Sequence, residues 1–258
     1  MYDVAALGEL LIDFTCLSTD TDGYPTMAAH PGGAPANYLA ALTKFGAKTA
    51  MIGKVGNDAF GRLLIKTLKG TGIDTRGMLV SDDVFTTLAF VTFDAHGDRS
   101  FAFARKPGAD TQLTFDELDL SLIDETRVFH FGTLSLTGEP ARTTTYRAVE
   151  YAKAHGKLVT YDPNLRKPLW NDLNEAKEQM LWGLRQADVV KISDEEVEFL
   201  FGLGVQDGAQ YILDHYPVKL VFVTCGADGC WFQNRNAGGH VDSLKDIKVV
   251  DTTGAGDI

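Results

Sequence analysis

The sequence predicts an α/β fold: a doubly wound, mostly parallel sheet with helices on both faces, plus a small β-sheet lid. Three observations lead there. Short apolar runs suited to buried strands recur between stretches with apolar residues at helical spacing. These strand and helix signals alternate, and alternating β and α units build a parallel sheet because each crossover helix packs back on a sheet face. One stretch, 85–106, breaks the rhythm and reads as an antiparallel hairpin. At 258 residues the chain is long enough for one large domain.

In chain order, "VAALGE" (4–9), "KTAMIG" (48–53), "RVFHFG" (127–132), "KLVTYD" (157–162), "DVVKIS" (188–193) and "KLVFVTCG" (219–226) read as buried strands. Between them "APANYLAALTKFG", "DAFGRLLIKTLKG", "PARTTTYRAVEYAKAHG", "NEAKEQMLWGLRQ" and "SDEEVEFLFG" carry helical spacing. The second of these is expected to start at an Asp58 cap and end at Gly70; the third has Pro140 in its first turn and stops at Gly156. The 85–106 stretch alternates apolar and polar residues on both sides of an Asp-Ala-His-Gly-Asp turn. An extended piece around 10–16 precedes the irregular segment "STDTDGYPTMAAHPGG". Together these form the lid, expected over about 10–31 and 84–107. Both registers of the hairpin contain apolar residues, so both of its faces need cover. One can close over a ligand; the other is expected to meet a second copy, giving a homodimer through the lids.

Apolar content of 45% with 23% charged residues is that of a soluble globular protein. The 24 basic residues against 35 acidic ones give a net charge of −11, which argues against general binding to nucleic acid or anionic membranes. A phosphate ligand must then be held by local amides and a few cations. Cys16, Cys225 and Cys230 match no CxxC pattern and suit a reducing cytosol, as buried thiols. The N-terminal stretch has no basic region before its apolar run and meets Asp3, Glu9 and Asp13 too early for a signal peptide. No apolar run reaches the roughly 20 residues that span a bilayer. A cytoplasmic protein is expected.

Ligands of open parallel sheets sit at the carboxyl ends of the strands, and several suspicious clusters fall there. In "DTTGAGD" (251–257) glycines let backbone amides approach an anion, and an acidic residue inside such a nest suits a group that loses a proton. In "YDPNLR" (161–166) Pro163 ends a strand and throws Asn164 and Arg166 over its end, or simply makes a turn with a solvated arginine. In "KISDEE" (191–196) Ser193 and Glu196 form a capping box, which is compatible with a cofactor role. In "HPGGAPANYLAALTKFG" (30–46) paired glycines leave room for a ligand and Asn37 sits on the first helical turn; a plain tight turn would read the same way. "TCGADGCWF" (224–232) is either a ligand-binding turn or a hairpin. The first strand lacks a following G-x-G-x-x-G, which disfavours hydride transfer, and the chain has no Walker A sequence. The six histidines lack ligand spacing; His130, in an apolar strand, reads as a core residue.

These clusters, in this order, resemble the PfkB, or ribokinase-like, carbohydrate kinases. "GGAPAN" (32–37), with Gly46 and Gly56 downstream, is similar to the family's N-terminal signature, and "DTTGAGD" to the start of its C-terminal one. Leu39 stands where the usual pattern has a small residue. The resemblance covers all 258 residues as a single ribokinase-like domain. With "FARKPGAD" (103–110) and "HFGTLSL" (130–136) it is most like bacterial fructokinases, although aminoimidazole riboside kinases also use "GGAPAN".

The resemblance implies an ATP-dependent kinase transferring the γ-phosphoryl group to a primary hydroxyl of fructose. Asp257 would be the base, Gly254, Ala255 and Gly256 would supply amides to the phosphoryl group, and Arg166 would approach the transfer centre. Asp13, Gly32, Gly33, Asn37, Phe103, Arg105, Asp110 and Asn164 would contact sugar. Lys191, Ser193, Glu196, Thr224, Gly226 and Gly229 would serve the nucleotide, with Glu196 acting on Mg²⁺ through water. Asp251 and Thr253 would belong to a monovalent-cation site, expected to hold K⁺. Family members continue past the aspartate with a helix and elements that complete the adenine pocket, so part of the domain is expected to lie beyond Ile258. The competing readings are a kinase of another small sugar, sugar acid or riboside, and a sugar-binding pseudokinase that transfers nothing.

Overall fold

The computed structural model describes residues 1–93, 99–245 and 254–257. The chain opens with β1 (Tyr2–Leu7), β2 (Leu11–Thr19), β3 (Pro25–Gly32) and α1 (Ala34–Lys44). Then come β4 (Thr49–Gly56), α2 (Ala59–Thr71), β5 (Asp74–Ser81), β6 (Leu88–Phe93) and β7 (Arg99–Ala104). The central part holds α3 (Ser121–Asp124), β8 (Thr126–Gly132), α4 (Ala141–Ala154), β9 (Leu158–Asp162) and α5 (Leu173–Gln186). It continues with β10 (Val189–Ser193), α6 (Asp194–Phe201), α7 (Val205–His215), β11 (Leu220–Thr224), β12 (Cys230–Asn234) and β13 (Gly238–Val241).

The large sheet has the order β13-β12-β11-β10-β9-β8-β1-β4-β5, and all its pairs are parallel except β11–β12 and β12–β13. The period-2 geometry of a strand explains how one short segment serves two cores. Ala5 and Leu7 of β1 belong to a core with Phe129, Phe131 and residues of α4, α5, α6 and α7. Val4 and Ala6 belong to a second core with Leu39 of α1, Met51 of β4, and Leu64 and Leu68 of α2. Strands are added from β1 through β4 to β5 on one side and from β8 through β9 and β10 to β11 on the other, so the junction between the parallel neighbours β1 and β8 is the topological switch point.

The lid is a separate four-stranded sheet of order β3-β2-β6-β7. The turn expected at residues 94–98 lies outside the described residues. β3 crosses the segment expected to be irregular. Its Pro25 and Pro31 are tolerated because β3 is an edge strand, where a missing amide leaves no ladder bond unmade. β5 and α7 lie outside the segments read from the apolar period, although α7 buries Ala209, Ile212 and Leu213 on one face. Helix α2 runs one residue past Gly70 and closes on Gly72 at φ 90, while Asp58 caps its start by accepting from the amides of Phe60 and Gly61 at 2.9 Å.

Tertiary packing also revises the lid's outer face. Phe14 stacks on Phe90 at 5.2 Å and meets Phe60 of α2 edge-on at 5.6 Å, so the chain itself covers part of that face. The three cysteines are partly exposed free thiols, not buried ones. His130 is buried, bonded to the Thr160 hydroxyl at 2.9 Å and packed on Tyr38, as a core residue should be. Among the described residues no helix is long and apolar enough to cross a membrane.

Candidate active site

A cavity of about 300 Å³ lies where the lid's inner face meets the carboxyl ends of the parallel strands. The lid contributes Leu11, Asp13, Val91 and Phe103 to its wall, the strand ends contribute Glu9, Asp162, Lys191, Ser193 and Thr224, and the far loop contributes Gly254, Gly256 and Asp257.

Asp257 is buried, and both of its oxygens are held by amides. Asn37 Nδ2 donates to Oδ2 at 2.8 Å, and Asn164 Nδ2 donates to Oδ1 at 3.1 Å. Asn37 is delivered by the first turn of α1, Asn164 by the segment after β9. Asn164 takes a left-handed backbone at φ 45, a conformation uncommon for a side chain with a Cβ and least so for Asn and Asp. That conformation brings its amide over the strand end. The Asp257 amide donates to Gly254 O at 3.0 Å, closing a tight turn, and Lys191 Nζ donates to Gly256 O.

The paired glycines are explained by close approach. Gly33 sits at φ 114, and a Cβ there would lie 2.4 Å from Glu9 O. At Gly32 a Cβ would lie 2.1 Å from Asp13 Oδ2. Larger residues would push Asp13 and α1 away from the cavity.

Glu9 was not singled out in the sequence, yet it sits beneath this turn. It is 2% exposed and accepts from the Ala34 amide, the first of α1, at 2.9 Å. Burial raises its pKa from 4.5 to about 7, opposed by its backbone hydrogen bonds and by Arg105, and aided by Asp110. A raised acid stabilises the fold fully below its unfolded value and loses that contribution as pH rises through the folded one. The gap between 4.5 and about 7 corresponds to about 3 kcal/mol. Glu9→Gln keeps the acceptor without the charge. Denaturant unfolding at pH 5 and pH 8 should show the variant gaining stability over wild type by about that amount at the higher pH. An equal difference at both values would contradict it.

Arg105 and Asp110 were expected to touch sugar, but neither lines the cavity. They form a buried ion pair at 2.7 Å, in which Arg105 also donates to Leu134 O at 2.8 Å and Thr137 Oγ1 at 2.7 Å. Thr87 donates to the other Asp110 oxygen. Through the bond to its carbonyl, the pair fixes the wall residue Leu134. Asp13, Gly33 and Phe103 do reach the wall, while Gly32 supports Asp13 from behind. Arg166 also lines the cavity; among the described residues its guanidinium makes one long bond, 3.4 Å to Leu165 O.

Ser193 and Glu196 make the expected capping box: the Glu196 amide donates to Ser193 Oγ at 3.1 Å and the Ser193 amide donates to Glu196 Oε2 at 2.9 Å. Glu196 Oε1 accepts from the Leu165 amide at 2.6 Å, which ties α6 to the Asn164 segment. Thr224 lines the cavity, whereas Gly226 and Gly229 form the turn of the β11–β12 hairpin outside it. Asp251 and Thr253 lie outside the described residues. Among the described residues, no group of three or more His, Cys, Asp and Glu side chains is arranged to hold a metal.

Asp162 is the second residue that sequence reasoning passed over. It lies within the quoted "YDPNLR", and a carboxylate ending a strand between apolar neighbours was the signal available. Glu195, Lys167 and Phe199 also line the cavity from the α6 side, but nothing in their spacing separates them from ordinary surface residues.

The family description "pfkB family carbohydrate kinase" matches residues 1–258. Fructokinase-1 of Zea mays is 45% identical over 257 residues, covering 98% of this chain and 79% of that protein. The crystal structure of a fructokinase from Xylella fastidiosa with bound ATP superposes with a TM-score of 0.90 at 30% identity, covering all of this chain and 79% of the other. A Vibrio cholerae O395 fructokinase with fructose, ADP and calcium bound gives 0.87 at 33% identity, covering all of this chain and 81% of the other.

Proposed function

Because the chain belongs to the pfkB family of carbohydrate kinases, we propose that it is an ATP-dependent fructokinase producing fructose 6-phosphate. The carrying observation is a carboxylate, Asp257, gripped by two side-chain amides inside a glycine loop at the floor of a lidded cavity. The fructokinase relatives support fructose as the acceptor.

Phosphoryl transfer proceeds through a loose transition state, so positioning and charge stabilisation supply most of the catalysis. The primary hydroxyl oxygen bonds to the γ-phosphorus as the bond from that phosphorus to the ADP oxygen breaks, and the hydroxyl proton passes to Asp257. Asn37 and Asn164 hold the carboxylate in register. Amides of Gly254, Ala255 and Gly256 face developing charge, with Arg166 offering a planar donor fork. Asp13, Gly33 and Phe103 contact the sugar. Mg²⁺ would neutralise phosphate charge when bound, and Glu196 would hold its water shell. Ser193, Thr224, Gly226 and Gly229 serve the nucleotide side, and Asp251 and Thr253 would hold K⁺.

A panel of fructose, glucose, ribose, sugar acids and aminoimidazole riboside with ATP and Mg²⁺ tests the reading. Fructose should give the highest kcat/KM. A higher value on another acceptor would reassign the substrate, and turnover of none would reassign the chemistry.

The lid also carries the proposed dimer. Leu88 and Phe90 lie opposite the cavity-facing Val91 register and are only half-buried. A two-fold copy would cover them. Leu88→Asp with Phe90→Asp should give monomers by light scattering. Phe90 packs on Phe14, so sugar binding should weaken through the lid while nucleotide binding holds. A wild-type monomer at micromolar concentration, or a dimeric variant, would contradict this.

A further inference from the structure

Beneath the catalytic loop lies a charged pair that the roles above do not explain. Asp162 ends β9 and Lys191 lies on β10, adjacent parallel strands in register at Val190 and Tyr161. Lys191 Nζ bonds Asp162 Oδ2 at 2.6 Å and reaches across to donate to Gly256 O. It therefore joins the floor of the sheet to a loop 65 residues further along the chain.

Three features set this pair apart from an ordinary structural ion pair. Asp162 is 4% exposed, yet its Oδ1 has no hydrogen-bond partner among the described residues. An unsatisfied buried oxygen is destabilising, and a pair kept only for stability would satisfy both oxygens or be apolar. Burial, with Glu196 and Asp257 nearby, disfavours charge on Asp162, and Lys191 opposes them. The lysine's second contact is a backbone carbonyl of the loop. Fixing the Gly256 carbonyl fixes the plane of the Gly256–Asp257 peptide, because the amide lies trans to it. That amide closes the turn onto Gly254 O. Lys191 thus sets the peptide plane, while Asn37 and Asn164 set the carboxylate.

We propose that Asp162 and Lys191 form a strut that holds the Gly254–Asp257 loop in its transfer geometry, so that Lys191 is a positioning residue and not a phosphate ligand. The consequence for catalysis rests on the kinase reading; the mechanical role does not. Asp162 anchors the ammonium, the ammonium anchors the loop, and a displacement of about 1 Å at the loop is enough to lower transfer about 10²-fold.

Lys191→Met, Asp162→Asn and the double variant test it by two readouts. In steady-state kinetics each single variant should lose kcat while KM for ATP and for fructose stays near the wild-type value. The double variant should be no worse than Lys191→Met, since the partners act as one unit. It also removes the pair without leaving an unmatched charge, which keeps the test open if a single variant folds poorly. In hydrogen exchange, the Asp257 amide should exchange faster in all three variants without any substrate present. Raised KM for ATP with retained kcat in Lys191→Met would make the lysine a phosphate ligand and overturn the proposal. Additive losses in the double variant, or unchanged Asp257 exchange, would also overturn it. A wild type inactive on every sugar would sink the kinase reading alone, because the exchange experiment still reports on the strut.

Discussion

Asp257→Asn is expected to lower kcat by about 10³-fold while affinity for fructose changes little. The substitution keeps the shape of the side chain, so Asn37 and Asn164 can still hold one oxygen. What it removes is a proton acceptor and one negative charge. The new amide nitrogen also faces a group that is itself a donor, either Asn37 Nδ2, now 2.8 Å from Oδ2, or Asn164 Nδ2, now 3.1 Å from Oδ1. One of those contacts must turn repulsive or break, adding misplacement to lost basicity. Sugar contacts proposed for Asp13 and Phe103 are untouched, so binding measured by calorimetry should survive. A variant with more than half the wild-type turnover would remove Asp257 from the role of base.

Arg166→Ala is expected to lower kcat by about 10³-fold, comparable with loss of an arginine that stabilises charge in other phosphoryl transfers. Arg166→Lys should recover only a small part of that, because a point charge cannot place two parallel donors on phosphoryl oxygens. The side chain is half-buried at the cavity wall and its long bond to Leu165 O contributes little to the fold, so stability should hardly move. A Lys variant with normal kcat and a raised KM for fructose would place Arg166 in the sugar site instead.

Much of this molecule was legible from one dimension. The identity of most strands and helices followed from apolar period, because burial on both faces of a parallel sheet demands apolar runs such as that of β11. The glycine-rich clusters were legible because few residues fit a turn like that at Gly33, with φ 114 and a carbonyl 2.4 Å from the missing Cβ. Those signals are local, and local geometry is written in neighbouring residues.

Pairings between distant residues decided the rest. "GGAPAN" and "YDPNLR" marked Asn37 and Asn164 as ligand contacts, but only folding put both amides on Asp257, across 220 and 93 residues of chain. Arg105 and Asp110 stand at positions where the family resemblance implies sugar contacts. Packing buried them against each other and gave them the work of holding Leu134. Glu9 and Asp162 went unnoticed because a carboxylate next to an apolar strand has no distinctive spacing. Their significance comes from desolvation and from the groups brought near them, Ala34 for one and Lys191 for the other. The sequence alone determined most of the segments that form the central strands and helices, and the glycine-rich turns, since those depend on side-chain period and backbone freedom. Only the tertiary structure decided which polar groups meet, because a buried charge is defined by partners the chain supplies from far away.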